Sequence, residues 1–415
     1  MIMNLTFEQK LRNYADLAVN VGIGLQPGQT LIIRDVPLES APFVRLIAES
    51  AYKAGAKLVD VIWKDDALIL TRFQHAPRDS FSEFPTWNTE AVLESVLNRN
   101  GATLKIVAEK PGLLDGQDPE LIIEAKIVRQ QQLQEIFKYS MANYYNWSVI
   151  SMPIPSWAAK IFPDDAPQTQ IDKLWDLIFE VCRVNQPDPV QAWKEHAKTL
   201  TEKKIYLNNK KYTSFKYKAP GTELTLGLPE GHIWHGVSAV TSKGINFMPN
   251  LPSEEIFTMP HRDQADGVLS NTRPFSSGGM FIDQFSLKFE NGRIVNATAK
   301  TGETILKQLI ATDEGATRLG EIALVPHSSP ISQSNVLFYN TLFDENAASH
   351  LAIGKAYRFC MVDGDQMDDD QFATAGGNNS LIHEDLMIGS DEMDIDGVTA
   401  AGDIEPIMRA GEWAF

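Results

Sequence analysis

The chain is poor in cysteine, in long apolar runs and in positive charge. It has 415 residues, of which Cys182 and Cys360 are the only cysteines. Two thiols are too few for a disulfide framework in a chain of this length. No stretch approaches the ~18 consecutive apolar residues of a membrane span, so no membrane partner is expected. The N-terminal segment reaches Glu8 before it accumulates the apolar core of a signal peptide. These absences predict a cytoplasmic protein. Lysine and arginine number 37 against 54 aspartates and glutamates, a net charge of −17. A body so acidic repels polyphosphates, and nucleic acid is excluded as a partner on that ground.

What is present changes character near residue 204. In the first half, apolar runs of strand length alternate with helical periodicity. Strands are expected at 30–33, 57–63, 103–107 and 147–150, and helices at 7–22, 40–54, 87–99 and 118–139. Helices at 171–184 and 190–203 close the series. Alternation of this kind needs crossover connections, which give a mostly parallel sheet covered on both faces. The fold class expected is therefore an N-terminal α/β domain, residues 1–203, followed by an irregular α+β domain rich in antiparallel strands, residues 204–415. In the second part, Asn291-Gly292 lies between two alternating runs, 285–289 and 293–299. Both positions of a tight hairpin turn need positive φ, so this pair marks a hairpin. A helix is expected at 302–311.

Several motif-like stretches carry less than they first offer. Gly22-Ile-Gly24-Leu-Gln-Pro-Gly28 has a misplaced third glycine and follows a helix, so it is expected to terminate that helix and not to bind a dinucleotide. Asp363, Asp365 and Asp368 lack the glycine of a calcium loop. Glu392-Met-Asp394-Ile-Asp396-Gly397 lacks helical flanks and is expected to be a tight acidic turn. His232 and His235 are crowded by Pro229, Gly231 and Gly236, which deny them a shared helix, and hydrogen-bonded or solvent-facing imidazoles are expected. Between Arg358 and Arg409 lie 13 acidic residues and no lysine or arginine. Such a field would attract a metal cation or a free ammonium group, and is otherwise a solvated acidic surface.

Four short segments of the second half combine carboxylates and imidazoles. They are Asn250-Leu-Pro-Ser-Glu254-Glu255-Ile-Phe, Leu319-Gly320-Glu321-Ile-Ala-Leu-Val, Phe343-Asp344-Glu345-Asn346-Ala-Ala-Ser349-His350 and Ile382-His383-Glu384-Asp385. Glu321 stands at the mouth of an apolar run of buried-strand character, where a carboxylate is costly unless paired or liganded. His383 and Asp385, two apart in an apparent strand, point to one face. His350 lies behind Glu345 in an alanine-rich segment whose start Asp344 is expected to cap.

These segments, with Phe338–Gly354 as a whole and the opening Tyr14–Val19 and Val21–Gln29, resemble the aminopeptidase T and aminopeptidase S family of metal-dependent aminopeptidases over essentially the full chain. The resemblance implies a cytoplasmic homodimer acting on peptide substrates. It implies two divalent metals per subunit (Zn, Co or Mn) at residues matching Glu255, Glu321, His350, Tyr357, His383 and Asp385, with Glu345 a ligand or its close neighbour. Tyr357 is either a ligand or a hydrogen-bonding group beside the metals. The general base is left open among Glu254, Glu345 and Glu321; Glu254 is equally well read as a solvent-facing neighbour. The acidic stretch 363–370 receives no function. The rival readings are a non-catalytic peptide- or calcium-binding protein that keeps the fold, and a nicotinamide-dependent enzyme built on the first half.

Overall fold

Thr30-Leu-Ile-Ile is too short and too β-branched to make a helix, and Pro27-Gly28 breaks the chain ahead of it. In the computed structural model, which describes residues 5–277 and 280–415, it begins strand β1 (Thr30–Pro37). With β2 (Leu58–Lys64), β3 (Gly101–Val107) and β4 (Trp147–Ser151) it forms a four-stranded sheet in the order β2-β1-β3-β4. Every pairing is parallel, and Ile32 lies beside Asp60 on one side and Thr103 on the other. β1 and β3 are almost wholly buried. Edge strand β2 departs from the expected two-sided cover, because its residues are half-buried or exposed throughout.

The expected helices are present at Phe7–Leu17, Ala41–Lys53, Trp87–Asn98 and Pro119–Met141. The first starts at a Thr6–Gln9 capping box, in which each side chain accepts from the other residue's backbone N–H. It runs into a π-helical stretch, Ala18–Ile23, and stops at Gly24 with φ 59°. A Cβ at Gly24 would sit 2.1 Å from the Asn246 carbonyl, so this glycine terminates a helix as expected. A helix at Asp66–His75 was not legible in the sequence: it buries none of its residues, so no apolar stripe marks it.

The later part of the chain is mainly antiparallel. The expected hairpin joins Met280–Glu290 to Arg293–Thr301, and Asn291 and Gly292 hold φ of 50° and 80°. These strands belong to a nine-stranded sheet with Ser214–Ala219, Thr222–Gly227, Ala265–Ser270, Asp394–Val398 and Ile404–Arg409. Asp394–Gly397 is thus a paired strand, which corrects the acidic turn expected there. Its alternation of acidic and apolar residues is the period of a strand with one buried face.

A second sheet carries the residues of interest. Its strands are β5 (His235–Gly236), β6 (Ile256–Thr258), β7 (Leu319–Leu324), β8 (His350–Gly354) and β9 (His383–Met387), in the order β9-β8-β7-β6-β5. Every residue of β7 and β8 is buried.

The chain forms two compact units. One ends at Ala197 and takes in Ser238–Pro252; the other comprises Lys198–Val237 and Ser253–Phe415. In the first, Val149 of β4 donates to Pro249 O and accepts from Leu251 N. No helix among the described residues is long and apolar enough to cross a membrane.

Candidate metal centre

Antiparallel register brings the sequence-distant segments together. Glu321 lies opposite Ala352, which lies opposite Asp385; Ala323 lies opposite His350, and Gly354 opposite His383. Paired residues share a face, so Glu321, His350, His383 and Asp385 stand on one side of the sheet. The positions between them are Ala323, Ala352 and Gly354, whose small side chains leave a floor on which larger groups can converge. The register slips between Leu319 and Glu321. A Cβ on the intervening Gly320 would lie 2.4 Å from Gly354 O, so the slip requires glycine. Glu254 and Glu255 precede β6, the next strand along.

Two groups of three result, and Glu321 belongs to both: Glu255–Glu321–His350 and Glu321–His383–Asp385. His350 Nε2 lies 3.4 Å from Glu255 Oε2 and 3.6 Å from Glu321 Oε1. His383 Nε2 lies 3.4 Å from Glu321 Oε2 and 3.3 Å from Asp385 Oδ1. The two oxygens of one carboxylate therefore face two different imidazoles. The Nδ1 atoms are turned away: that of His350 is 3.1 Å from Ala348 O, and that of His383 is 2.7 Å from Lys355 O. A backbone carbonyl at Nδ1 fixes a proton there and leaves Nε2 as the nitrogen turned toward the carboxylates, where it holds a proton in the absence of a metal and would ligate one in its place.

The electrostatics need a cation. Glu255, Glu321 and His350 are buried, and the side chains of His383 and Asp385 are 20% and 15% exposed. Among the described residues, Glu255, Glu321 and Asp385 form ion pairs with histidines and with no lysine or arginine. Glu255 Oε2 and Asp385 Oδ1 are buried without a hydrogen bond, although an imidazole lies close to each. Burial, reinforced by Glu321 and Asp385 and opposed by His350, pushes the Glu255 carboxyl up to about 8. Burial disfavours the charged form of both imidazoles, yet the surrounding carboxylates push each up to about 10. Asp385 is also penalised by burial, but His383 and His350 hold it below the usual carboxylate range. Protons thus stand where positive charge is wanted, and orphaned oxygens facing imidazole nitrogens are the donor set of a divalent cation.

The remaining expected residues are placed as follows. Glu345 lies outside both groups of three. Its carboxyl is pushed well above the usual range by burial and then by Glu255 and Asp385. Tyr357 packs beside His383, ring centroids 5.0 Å apart, and stacks on Phe359. Burial and the nearby carboxylates keep its phenol protonated. Glu254 is 2% exposed, which removes the solvent-facing reading. Asp344 does not cap an alanine-rich helix: Asn340 caps the short helix Thr341–Asp344, Asp344 accepts from Phe338 N and Asn340 N, and His350 opens a buried strand. His232 and His235 are hydrogen-bonded, to Pro229 O and Phe359 O, and stand outside both groups. Along 363–370, Asp368 caps the helix Asp369–Thr374.

Asn346 escaped notice in the sequence. Fully buried, it accepts from Glu254 N at 2.7 Å and donates to Glu345 Oε1 at 3.3 Å, tying two of the four segments together. A lone asparagine inside a motif gives no signal of such a role.

Comparison with known proteins agrees with this geometry. A family model described as thermophilic metalloprotease (M29) matches residues 7–413. Aminopeptidase 2 of Geobacillus stearothermophilus is 48% identical over 99% of this chain and 98% of its own length. Aminopeptidase AmpS of Bacillus subtilis is 46% identical over 99% and 100%. The solved structure of wild-type AmpT from Thermus thermophilus superposes with a TM-score of 0.93 at 38% identity, covering 99% of this chain and all of that one. The chain belongs to the thermophilic metalloprotease family M29, as its motifs implied.

Proposed function

We propose that this member of the M29 family is an aminopeptidase with a two-metal centre, releasing N-terminal residues from peptides. The observation that carries the reading is Glu321, whose two carboxylate oxygens face the imidazoles of two separate groups, one buried and one half-buried. Glu255 and His350 would hold one ion, His383 and Asp385 the other, and Glu321 would bridge them. Imidazole in both groups favours Zn, Co or Mn over calcium, which takes oxygen ligands. Divalent ions bound there would polarise the scissile carbonyl and lower the pKa of the attacking water toward neutrality.

The chain's own residues do the rest. The stretch that supplies His383 and Asp385 carries 13 acidic residues and no lysine or arginine between Arg358 and Arg409. Such a field would draw in the α-ammonium of a peptide's free N-terminus and so favour exopeptidase over internal cleavage. Glu345, uncommitted to either group, takes the proton released as water oxygen bonds to the carbonyl carbon. It then delivers that proton to the departing amine nitrogen as the C–N bond breaks. Tyr357, a neutral phenol beside the site, donates a hydrogen bond to the carbonyl oxygen as it gains charge. Glu254 is assigned a supporting place next to Glu255. A cytoplasmic homodimer is part of the same proposal and rests on the family resemblance.

The test is hydrolysis of an aminoacyl-anilide with a free amine beside its N-acetylated counterpart. Release from the first alone is expected. Equal cleavage of both would contradict the aminopeptidase reading, and cleavage of neither by metal-loaded, folded protein would contradict catalysis.

A further inference from the structure

The metal centre has an apolar neighbour that the chemistry above does not use. The row of the five-stranded sheet that carries His350 runs on through Ala323 to Phe257 of β6 and His235 of β5. Paired residues share a face, so Phe257 and His235 stand on the side that bears the ligands. Residues just after β8 add two more rings there. Tyr357, beside His383, stacks on Phe359 with centroids 5.3 Å apart and 14° between the planes. Phe257 meets Tyr357 and Phe359 edge to face, at 6.4 and 6.2 Å. His235 lies 4.9 Å from the Phe359 ring and donates from Nε2 to Phe359 O at 2.8 Å. Four rings therefore run without a break from His383 outward to β5.

These rings are not sealed into the core. Phe257, Tyr357 and Phe359 rest on a buried cluster that includes Met259, Cys360, Met361 and Phe372, yet each of the three, like His235, is only half-buried. They border the more open part of the centre: His383 and Asp385 are half-buried, whereas Glu255, Glu321 and His350 are buried. The surface is also uncharged. Burial holds the His235 imidazole below its ordinary range, which leaves it neutral at pH 7. An apolar surface left partly open against a cluster of carboxylates and imidazoles is the usual make-up of a site that takes an apolar group beside a polar one.

We infer that Phe257 and Phe359, with His235 at the far end, receive the side chain of the substrate's N-terminal residue and favour large apolar and aromatic side chains there. The inference rests on the aminopeptidase reading. With the free amine and the scissile carbonyl held at the ions, the side chain on the carbon between them leaves to one flank, and the aromatic rings stand on the flank where the centre is open. A phenyl group there gains burial and ring contact, neither of which a methyl group can reach. A carboxylate side chain would meet the acidic field instead.

The test compares kcat/KM for phenylalanine and alanine p-nitroanilides in the metal-loaded parent, Phe257→Ala and Phe257→Leu. The parent should favour phenylalanine by about tenfold or more, and Phe257→Ala should cut that ratio about tenfold. The loss should fall mainly on KM, because the contact is the same in the ground and transition states. Phe257→Leu keeps most of the apolar volume on the buried cluster, so it remains available if Phe257→Ala does not fold, and it should cut the ratio about threefold. Damage to the metal centre would lower both substrates alike and leave the ratio in place. Calorimetric binding of L-phenylalaninol and L-alaninol, which carry the amine and side chain but no bond to hydrolyse, decides the matter if the parent turns over neither anilide. Preference for phenylalaninol that falls in the Phe257 variants would then uphold this surface while the aminopeptidase reading failed. No preference in the parent, or an unchanged ratio in a folded Phe257 variant, would overturn the inference; turnover of the anilides would leave the aminopeptidase reading standing.

Discussion

The parallel sheet of the first unit and the five-stranded sheet of the second both carry clusters of charge, and they compensate them differently. At the ends of β1–β3 lysines and arginines meet carboxylates in half-open pairs, such as Lys64 with Asp66 or Arg129 with Asp35. On and beside the face of β7–β9, the carboxylates of Glu255, Glu321 and Asp385 form ion pairs only with histidines among the described residues. Water can solvate the first arrangement if any one pair is lost. Nothing comparable can solvate the second, where a buried charge must be paired, protonated or liganded. A buried cluster with one sign in excess therefore says more about function than a larger, balanced network on the surface.

Mutation should separate the two clusters sharply. The largest effect is expected from Glu321→Ala, which removes the carboxylate shared by both groups. Aminopeptidase activity should disappear and bound metal should fall for both positions, as read by kinetics and elemental analysis; retained activity would defeat the assignment. Ala352→Leu should come next. It fills the floor between Glu321 and Asp385, so metal content and activity should drop together. Overpacking at about 1–3 kcal/mol leaves the fold intact by circular dichroism. Asn346→Ala should keep its metal yet lose about 10–100-fold in kcat, because Glu345 and the Glu254 backbone lose a common anchor. The smallest effect belongs to the first unit. Breaking the half-exposed Arg129–Asp35 pair by Arg129→Gln should shift unfolding by about 0–1 kcal/mol and leave hydrolysis unchanged. A large loss of hydrolysis there would erase the contrast.

How much of this could be read from residues alone follows from the range of the forces involved. The parallel sheet was legible because its strands announce themselves as short β-branched runs between amphipathic helices. The Asn291-Gly292 hairpin was legible because its turn has a strict backbone requirement. The helix Asp66–His75 was missed because it buries nothing. Spacing brought His383 and Asp385 to one face, but no local pattern could bring them to Glu321. Their convergence depends on which strands pair and in what register, and the family motifs supplied that link. The expected cap at Asp344 failed because the backbone there turns into a buried strand four residues after Asn346. The roles of Asn346 and of Ala323, Ala352 and Gly354 were invisible, since small or neutral residues matter there for the room and anchorage they give others.

The central claim is that buried carboxylates and imidazoles on one sheet face hold two divalent ions that hydrolysis requires. Protein stripped with chelator and titrated with Zn²⁺, Co²⁺ or Mn²⁺, with bound metal and aminoacyl-anilide hydrolysis followed together, tests it most directly. The expected result is no activity in the stripped protein and recovery that is complete at two ions per chain, with Glu321→Ala recovering nothing. Full hydrolysis by folded, metal-free protein, or metal uptake undiminished in Glu321→Ala, would contradict it.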